Sequence, residues 1–214
     1  MQVNFSYNED KDIECLIAKG PGSINSPGQK TKTYEKLLAY TTEVTNPEKV
    51  RDFVHKYLNE GNINPIEAVE TLKNNWSVIG KEFEKRAEKV FGVSIEDDIT
   101  AYLTVTGRYP YNIGGKYFFV SMRSVGANPI VMHELWHFYT YYKFGHTINQ
   151  IGNEKFNELK ESLTVLLNIE CPDLMSGEVD NGYTQHQELR KIISSTWLDT
   201  KDIQKVWETG LSFA

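Results

Sequence analysis

Hydrophobic residues recur at helical spacing over most of this chain and gather into strand-like runs in only a few places. Val50, Phe53, Val54 and Tyr57 form an apolar stripe at steps of three and four, which predicts a helix over 47–59. Ala68, Leu72, Trp76, Ile79, Phe83 and Ala87 extend the same spacing through a longer helix over 65–91, with Gly80 as a point of interruption. Asn46-Pro47, Asn64-Pro65 and Asn128-Pro129 each open a helical segment. In such a pair the asparagine side chain caps first-turn amides, and the proline takes the first helical position, where no amide donor is needed. Further helices are expected at about 129–144, 153–169, 183–196 and 200–209. His55, on the helix over 47–59, reads as a surface or partner-bonded histidine.

Two stretches break the helical rhythm. Residues 2–7 alternate and predict a short strand, while DITAYLTVTG and GGKYFFVSM within 98–122 are rich in β-branched and aromatic residues. Turn residues from Tyr109 to Gly115 separate the latter pair, so a β-hairpin is expected at 99–122. Residues 20–32, dense in Gly, Pro and Ser, must form a loop. Gly28, Lys30 and Thr31 approach a phosphate-binding loop, but Gln29 separates glycine from lysine and the spacing fails. Helices, then a small sheet, then helices predict an α+β fold. We expect one domain over 1–214, with a mainly helical N-terminal region at 1–95 and a compact core at 96–214.

Composition narrows the function. Hydrophobic residues make up 40% and charged residues 24%, near the averages for soluble globular proteins. The net charge of −6 leaves no basic footprint for nucleic acid. Cys15 and Cys171 are far apart and lack CxxC spacing, which excludes a cysteine-based metal site and makes a disulfide framework unexpected. The polar, acidic start MQVNFSYNEDKDIE does not read as a secretory signal. No window approaches the roughly 18 apolar residues needed to span a bilayer. A cytoplasmic protein with neither membrane nor nucleic-acid partners is expected.

The chemistry concentrates in NPIVMHELWHFYTYYKFGH, residues 128–146, which contains the HExxH segment His133-Glu134-Leu135-Trp136-His137. Histidines four apart share one helix face, so both imidazoles can reach one zinc ion at about 2.0–2.1 Å. Glu134, rotated about 100° from His133, would lie beside the metal without coordinating it. There its carboxylate can take a proton from a water activated by the metal and pass it to a leaving amine. Ile130, Val131, Leu135, Trp136 and Phe138 give this helix ample surface to bury, which argues against a solvent-facing histidine pair.

A catalytic zinc needs a third protein ligand and an open fourth position. His146 follows the probable helix end at Gly145, and Glu158 lies on a polar turn. Thr140 and Lys143 stand where the metzincin pattern needs glycine and a third histidine, which disfavours that family. Glu161 is the better candidate, because KESLTVLLN leads from a carboxylate almost directly into an apolar run. A glutamate on a helix entering the interior is costly unless a positive group meets it.

HELWH followed by Glu161-Ser162-Leu163-Thr164 resembles the gluzincin branch of the zincins, the thermolysin-like metallopeptidases. The resemblance covers about 95–170. It implies a zincin-like fold in which a small sheet accompanies an active-site helix and a glutamate helix. It implies a Zn2+ site of His133, His137 and Glu161, with Glu134 as general base, acting on a peptide or protein substrate. Related enzymes bind substrate along an edge strand, a place that Lys116 to Met122 would fill. They also place a tyrosine or histidine after the glutamate helix as oxyanion donor, which points to Tyr183 and His186, with Tyr141 as another option. One departure is plain. The aspartate that thermolysin carries four residues after the ligand glutamate is Val165 here, leaving Asn168, Thr164 or a backbone carbonyl to orient the histidine. Two other functions are open at this point: a catalytically silent zincin-like interaction or regulatory module, and a metal-dependent hydrolase of a non-peptide amide.

Overall fold

A computed structural model describes residues 1–17, 31–123 and 127–213. Most of the loop expected at 20–32, including Gly28 and Lys30, lies outside them. The fold is α+β, with a small mixed sheet among helices. In chain order the elements are β1 (Gln2–Ser6), α1 (Glu9–Ile17), α2 (Lys32–Tyr40), α3 (Pro47–Glu60), α4 (Pro65–Phe91), β2 (Asp98–Thr104), β3 (Tyr111–Asn112) and β4 (Tyr117–Ser121). There follow α5 (Asn128–Phe144), α6 (Ile148–Ile151), α7 (Asn153–Leu163), α8 (Leu167–Glu170), α9 (Gln187–Thr200) and α10 (Ile203–Phe213). Among the described residues no helix is long and apolar enough to cross a membrane.

The chain divides into two compact units. One comprises Met1–Trp76 and Asp97–Ala127, the other Ser77–Glu96 and Asn128–Ala214, so the division falls within α4. In the first unit the sheet order is β1-β2-β4-β3. β1 runs parallel to β2 with Gln2 opposite Asp98, and β2 parallel to β4 with Thr100 opposite Tyr117. Asn46 caps α3 as expected, its side chain accepting from the Glu48 amide at 3.1 Å. Asn64 does the same for α4 through the Ile66 amide at 3.0 Å. Gly80 does not interrupt α4.

The hairpin expected at 99–122 is corrected. Both strands exist, but β2 and β4 lie parallel, and only β3 turns back antiparallel to β4. The tight turn is 113–116 alone, where the Asn112 side chain accepts from the Gly115 amide at 2.7 Å and Lys116 takes the left-handed φ of 55°. The dozen residues between β2 and β4 are enough for a parallel crossover. YFFVS in β4 is almost continuously buried, the pattern of a parallel strand covered on both faces rather than of a half-exposed hairpin. β4 therefore sits between β2 and β3 and is not the edge strand expected of Lys116–Met122.

In the second unit α5 is buried on most of its circumference. Trp136 packs edge-on to Phe91 at 5.0 Å, Tyr139 stacks on Phe91 at 5.7 Å, and Phe144 stacks on Trp207 of α10 at 4.2 Å. Such a helix needs its own partners for every polar side chain it carries inward. α10 comes so close to α7 that a Cβ on Gly210 would lie 2.6 Å from Leu159 Cδ2. The helix expected over 153–169 is two helices separated by a 3-10 turn at Thr164–Leu166. The break leaves helix-end carbonyls to be satisfied by side chains, and that need shapes the site described next.

Candidate metal centre

His133 and His137 project from one face of α5, their rings 4.6 Å apart and nearly perpendicular. The Trp136 indole donates to the Leu163 carbonyl at 3.1 Å, pinning α5 to the end of α7 only two residues beyond Glu161. That lock brings the Glu161 carboxylate to the histidines: Oε2 lies 3.8 Å from His133 Nε2, and Oε1 lies 3.5 Å from His137 Nε2. Ligand atoms of the three residues all fall within 4.8 Å of one another. Tetrahedral zinc with bonds near 2.1 Å sets its ligand atoms about 3.4 Å apart, so the triangle is close to the required size.

Two further findings test the fit of a cation. Glu134 is buried, and its Oε2 finds no hydrogen-bond partner among the described residues. Burial pushes its carboxyl up to about 8, opposed by His133 and reinforced by the Glu161 charge. Burial, assisted by the Lys160 ammonium, depresses His137 to about 3, so its ring is neutral and can offer a lone pair to a metal. The donor set of two imidazoles and a carboxylate, with an unsatisfied carboxylate alongside, fits a divalent cation.

His133 behaves differently. Burial alone would lower it, but the hydrogen bond with Asp180, with the Glu161 and Glu134 carboxylates nearby, raises it to about 10. A metal bound through Nε2 would have to displace that ring proton. Glu161 shows the reciprocal effect: burial pushes it up, yet the close approach of the His137 and His133 imidazoles, with Lys160 alongside, holds it far below the usual carboxylate range.

Asp180 is the site residue that sequence reasoning missed. Its Oδ2 lies 2.6 Å from His133 Nδ1, and its Oδ1 accepts from Thr164 Oγ1 at 2.9 Å and Arg190 Nη2 at 2.9 Å. Burial would raise the Asp180 carboxyl, but the His133 hydrogen bond and the charges of His133 and Arg190 hold it at about 2. A carboxylate on the far nitrogen sets the tautomer and orientation of a metal-binding imidazole. Asn168 and Thr164, considered above for that task, act one step removed. Asn168 exchanges hydrogen bonds with the Asp180 backbone at 2.9 and 2.8 Å, and Thr164 braces its carboxylate. Arg190 completes the frame, donating to Thr164 Oγ1 at 2.8 Å and to the Glu161 carbonyl at 3.4 Å. Gly182, at φ 59°, lets the chain pass there, because a Cβ would sit 2.6 Å from the Arg190 guanidinium.

The remaining expectations divide. Tyr183 is 43% exposed; burial raises its phenol, and the charges of Glu161, Glu134 and Asp180 act in the same sense against Lys160. His186 is buried edge-on against Tyr183 at 5.6 Å, and burial lowers it. Tyr141 instead packs its ring on Phe156 at 4.7 Å. Neither His146, in the 3-10 turn after α5, nor Glu158 joins the metal-ligating cluster.

Fold and site together define an α+β protein with a candidate centre of two histidines and one glutamate on adjacent helices. No family model, curated protein or solved structure matches the chain.

Proposed function

We propose that the protein is a zinc-dependent metallopeptidase of the gluzincin type, with a zincin-like arrangement of its active-site and glutamate helices. His133 Nε2, His137 Nε2 and the Glu161 carboxylate would hold the ion, and Asp180 would fix the His133 ring through Nδ1. When bound, zinc supplies Lewis acidity that makes water a nucleophile near neutral pH and polarises a scissile carbonyl. Glu134 Oε2 takes the proton of the attacking water and returns it to the departing amine nitrogen. The Tyr183 phenol would donate a hydrogen bond to the carbonyl oxygen as negative charge develops there. His186 packs against the Tyr183 ring and keeps it in place.

The observation that carries this reading is Glu134. A centre that merely holds a structural ion has no use for a buried carboxylate oxygen with no partner among the described residues, set beside the ligands but outside their cluster. Such an oxygen costs free energy, and beside the ligands it is placed to accept the proton that the reaction must move. The catalytically silent alternative predicts no consequence for its removal.

The test is Glu134→Gln, assayed for zinc content and for cleavage of a mixed peptide library. The substitution keeps the side-chain shape and removes the proton acceptor. Zinc should stay at one equivalent while turnover falls by on the order of 10²–10⁴. Equal turnover by variant and parent would defeat the assignment.

A further inference from the structure

Lys160 is 1% exposed, and lysine is among the residues least often found inside a protein. It immediately precedes Glu161 on α7, and its ammonium donates to Glu161 Oε1. That oxygen is the one facing His137 Nε2 at 3.5 Å. The lysine therefore sits on the atom that a metal shared with His137 would need.

Helix geometry adds to the effect. Glu161 lies in the last turn of α7, where the unsatisfied carbonyls make a negative charge unfavourable. Arg190 and Thr164 Oγ1 answer the Glu161 carbonyl, and Arg190 is also engaged by Asp180. Beside the two imidazoles, Lys160 supplies the ammonium in direct contact with the Glu161 carboxylate itself. A side chain that served only to pack α7 would have no reason to carry a charge into this pocket. A positive charge beside a dication opposes binding of that dication, strongly so where water is scarce.

We propose that Lys160 is a resident counter-cation for Glu161. It holds the ligand carboxylate in place in the metal-free protein, competes with the metal for Glu161 Oε1, and so makes the ion exchangeable. The inference rests on the zinc reading above, because it concerns the same centre.

The test uses the full chain and reads metal affinity, not turnover. Zinc dissociation constants are measured by competition with a chromophoric chelator for the parent, Lys160→Met and Lys160→Arg. Tm is recorded for each protein with and without zinc. Lys160→Met should bind zinc on the order of tenfold more tightly. Its metal-free Tm should fall by about 5 °C, because Glu161 loses its partner. The rise in Tm on adding zinc should therefore be larger than in the parent. Lys160→Arg, which keeps the charge, should retain the parent's affinity. Unchanged or weaker zinc binding by Lys160→Met would overturn the proposal. Should Lys160→Met prove insoluble, Lys160→Gln gives the same readout. The two readings fail separately: a parent that takes up no zinc defeats the centre itself, whereas a parent that binds zinc leaves Lys160→Met to decide the role of the lysine.

Discussion

Each unit of the molecule buries carboxylates, and the two settings differ in what surrounds them. In the first unit Asp12 of α1 is fully buried, with Oδ1 accepting from Thr104 Oγ1 at 2.6 Å and from the Val105 amide at 3.1 Å. Oδ2 has no hydrogen-bond partner among the described residues. Burial pushes this carboxyl up to about 7, in spite of the two hydrogen bonds. In the second unit Asp180 and Glu161 are also largely removed from water, yet both are held below the ordinary range. The difference lies in the donors. A neutral hydroxyl and an amide do not repay the cost of desolvating a charge, whereas imidazoles, a guanidinium and an ammonium do. Burial without a charged hydrogen-bond donor makes a weak acid, as Glu134 of the second unit also shows; burial with charged donors in direct contact keeps Asp180 and Glu161 ionised.

The strongest way to break this contrast is His137→Ala. His137 is the neutral imidazole of the pocket, and removing it takes away a direct ligand while leaving the carboxylates. Zinc affinity should fall by well over the ~10²-fold that loss of an outer partner costs, as read by chelator competition. Retention of one tightly held zinc by this variant would place the ion elsewhere.

Asp180→Asn sharpens the comparison at the next level down. The amide keeps the shape but cancels the charge that orients His133 through Nδ1 and answers Arg190. We expect zinc binding to weaken by roughly 10–100-fold, with stoichiometry unchanged. In the metal-free variant the His133 imidazole should titrate below its value of about 10, followed by NMR. Parent-like affinity and an unmoved imidazole would show that Asp180 does not govern the ring.

Several helices and the proposed ligands could be read from residue order, and the reasons for the remainder are physical. The stripes on α3 and α4, the Asn-Pro caps and the HExxH spacing are local, so their consequences are local too. Glu161 was legible because a charge heading an apolar run demands a partner. Asp180 was not, since it lies in an irregular stretch rich in Gly and Asn, where a solvated aspartate is the ordinary expectation. Only the folded chain brings it to His133, with Arg190 of α9 behind it. The sheet failed for a related reason. YFFVS and DITAYLT read clearly as strands, but pairing direction depends on which tight turn forms, and the true turn at 113–116 was hidden within a longer run of turn residues. α1 and α2 escaped detection because each has only nine residues, too few for periodicity to stand out.

The smallest effect tests the first unit alone. Asp12 has a folded value of about 7 against an ordinary 3.8, so between those two values the folded chain holds a proton that the unfolded chain has released. Stability must therefore decline as pH rises through that window, and the loss is complete above about pH 7. The second unit works in the opposite sense. Asp180, held at about 2, contributes stability that is present above pH 3.8 and lost only as pH falls through about 2. The two trends overlap in any single profile, and comparing the parent with Asp12→Asn separates them. Asparagine keeps an acceptor for Thr104 and Val105 but cannot ionise. In urea titrations of the metal-free proteins, the parent should lose on the order of 2 kcal/mol relative to Asp12→Asn between about pH 4 and 7. Parallel profiles would mean that Asp12 ionises as readily as a surface carboxylate, and the proposed difference between the two units would then be one of degree.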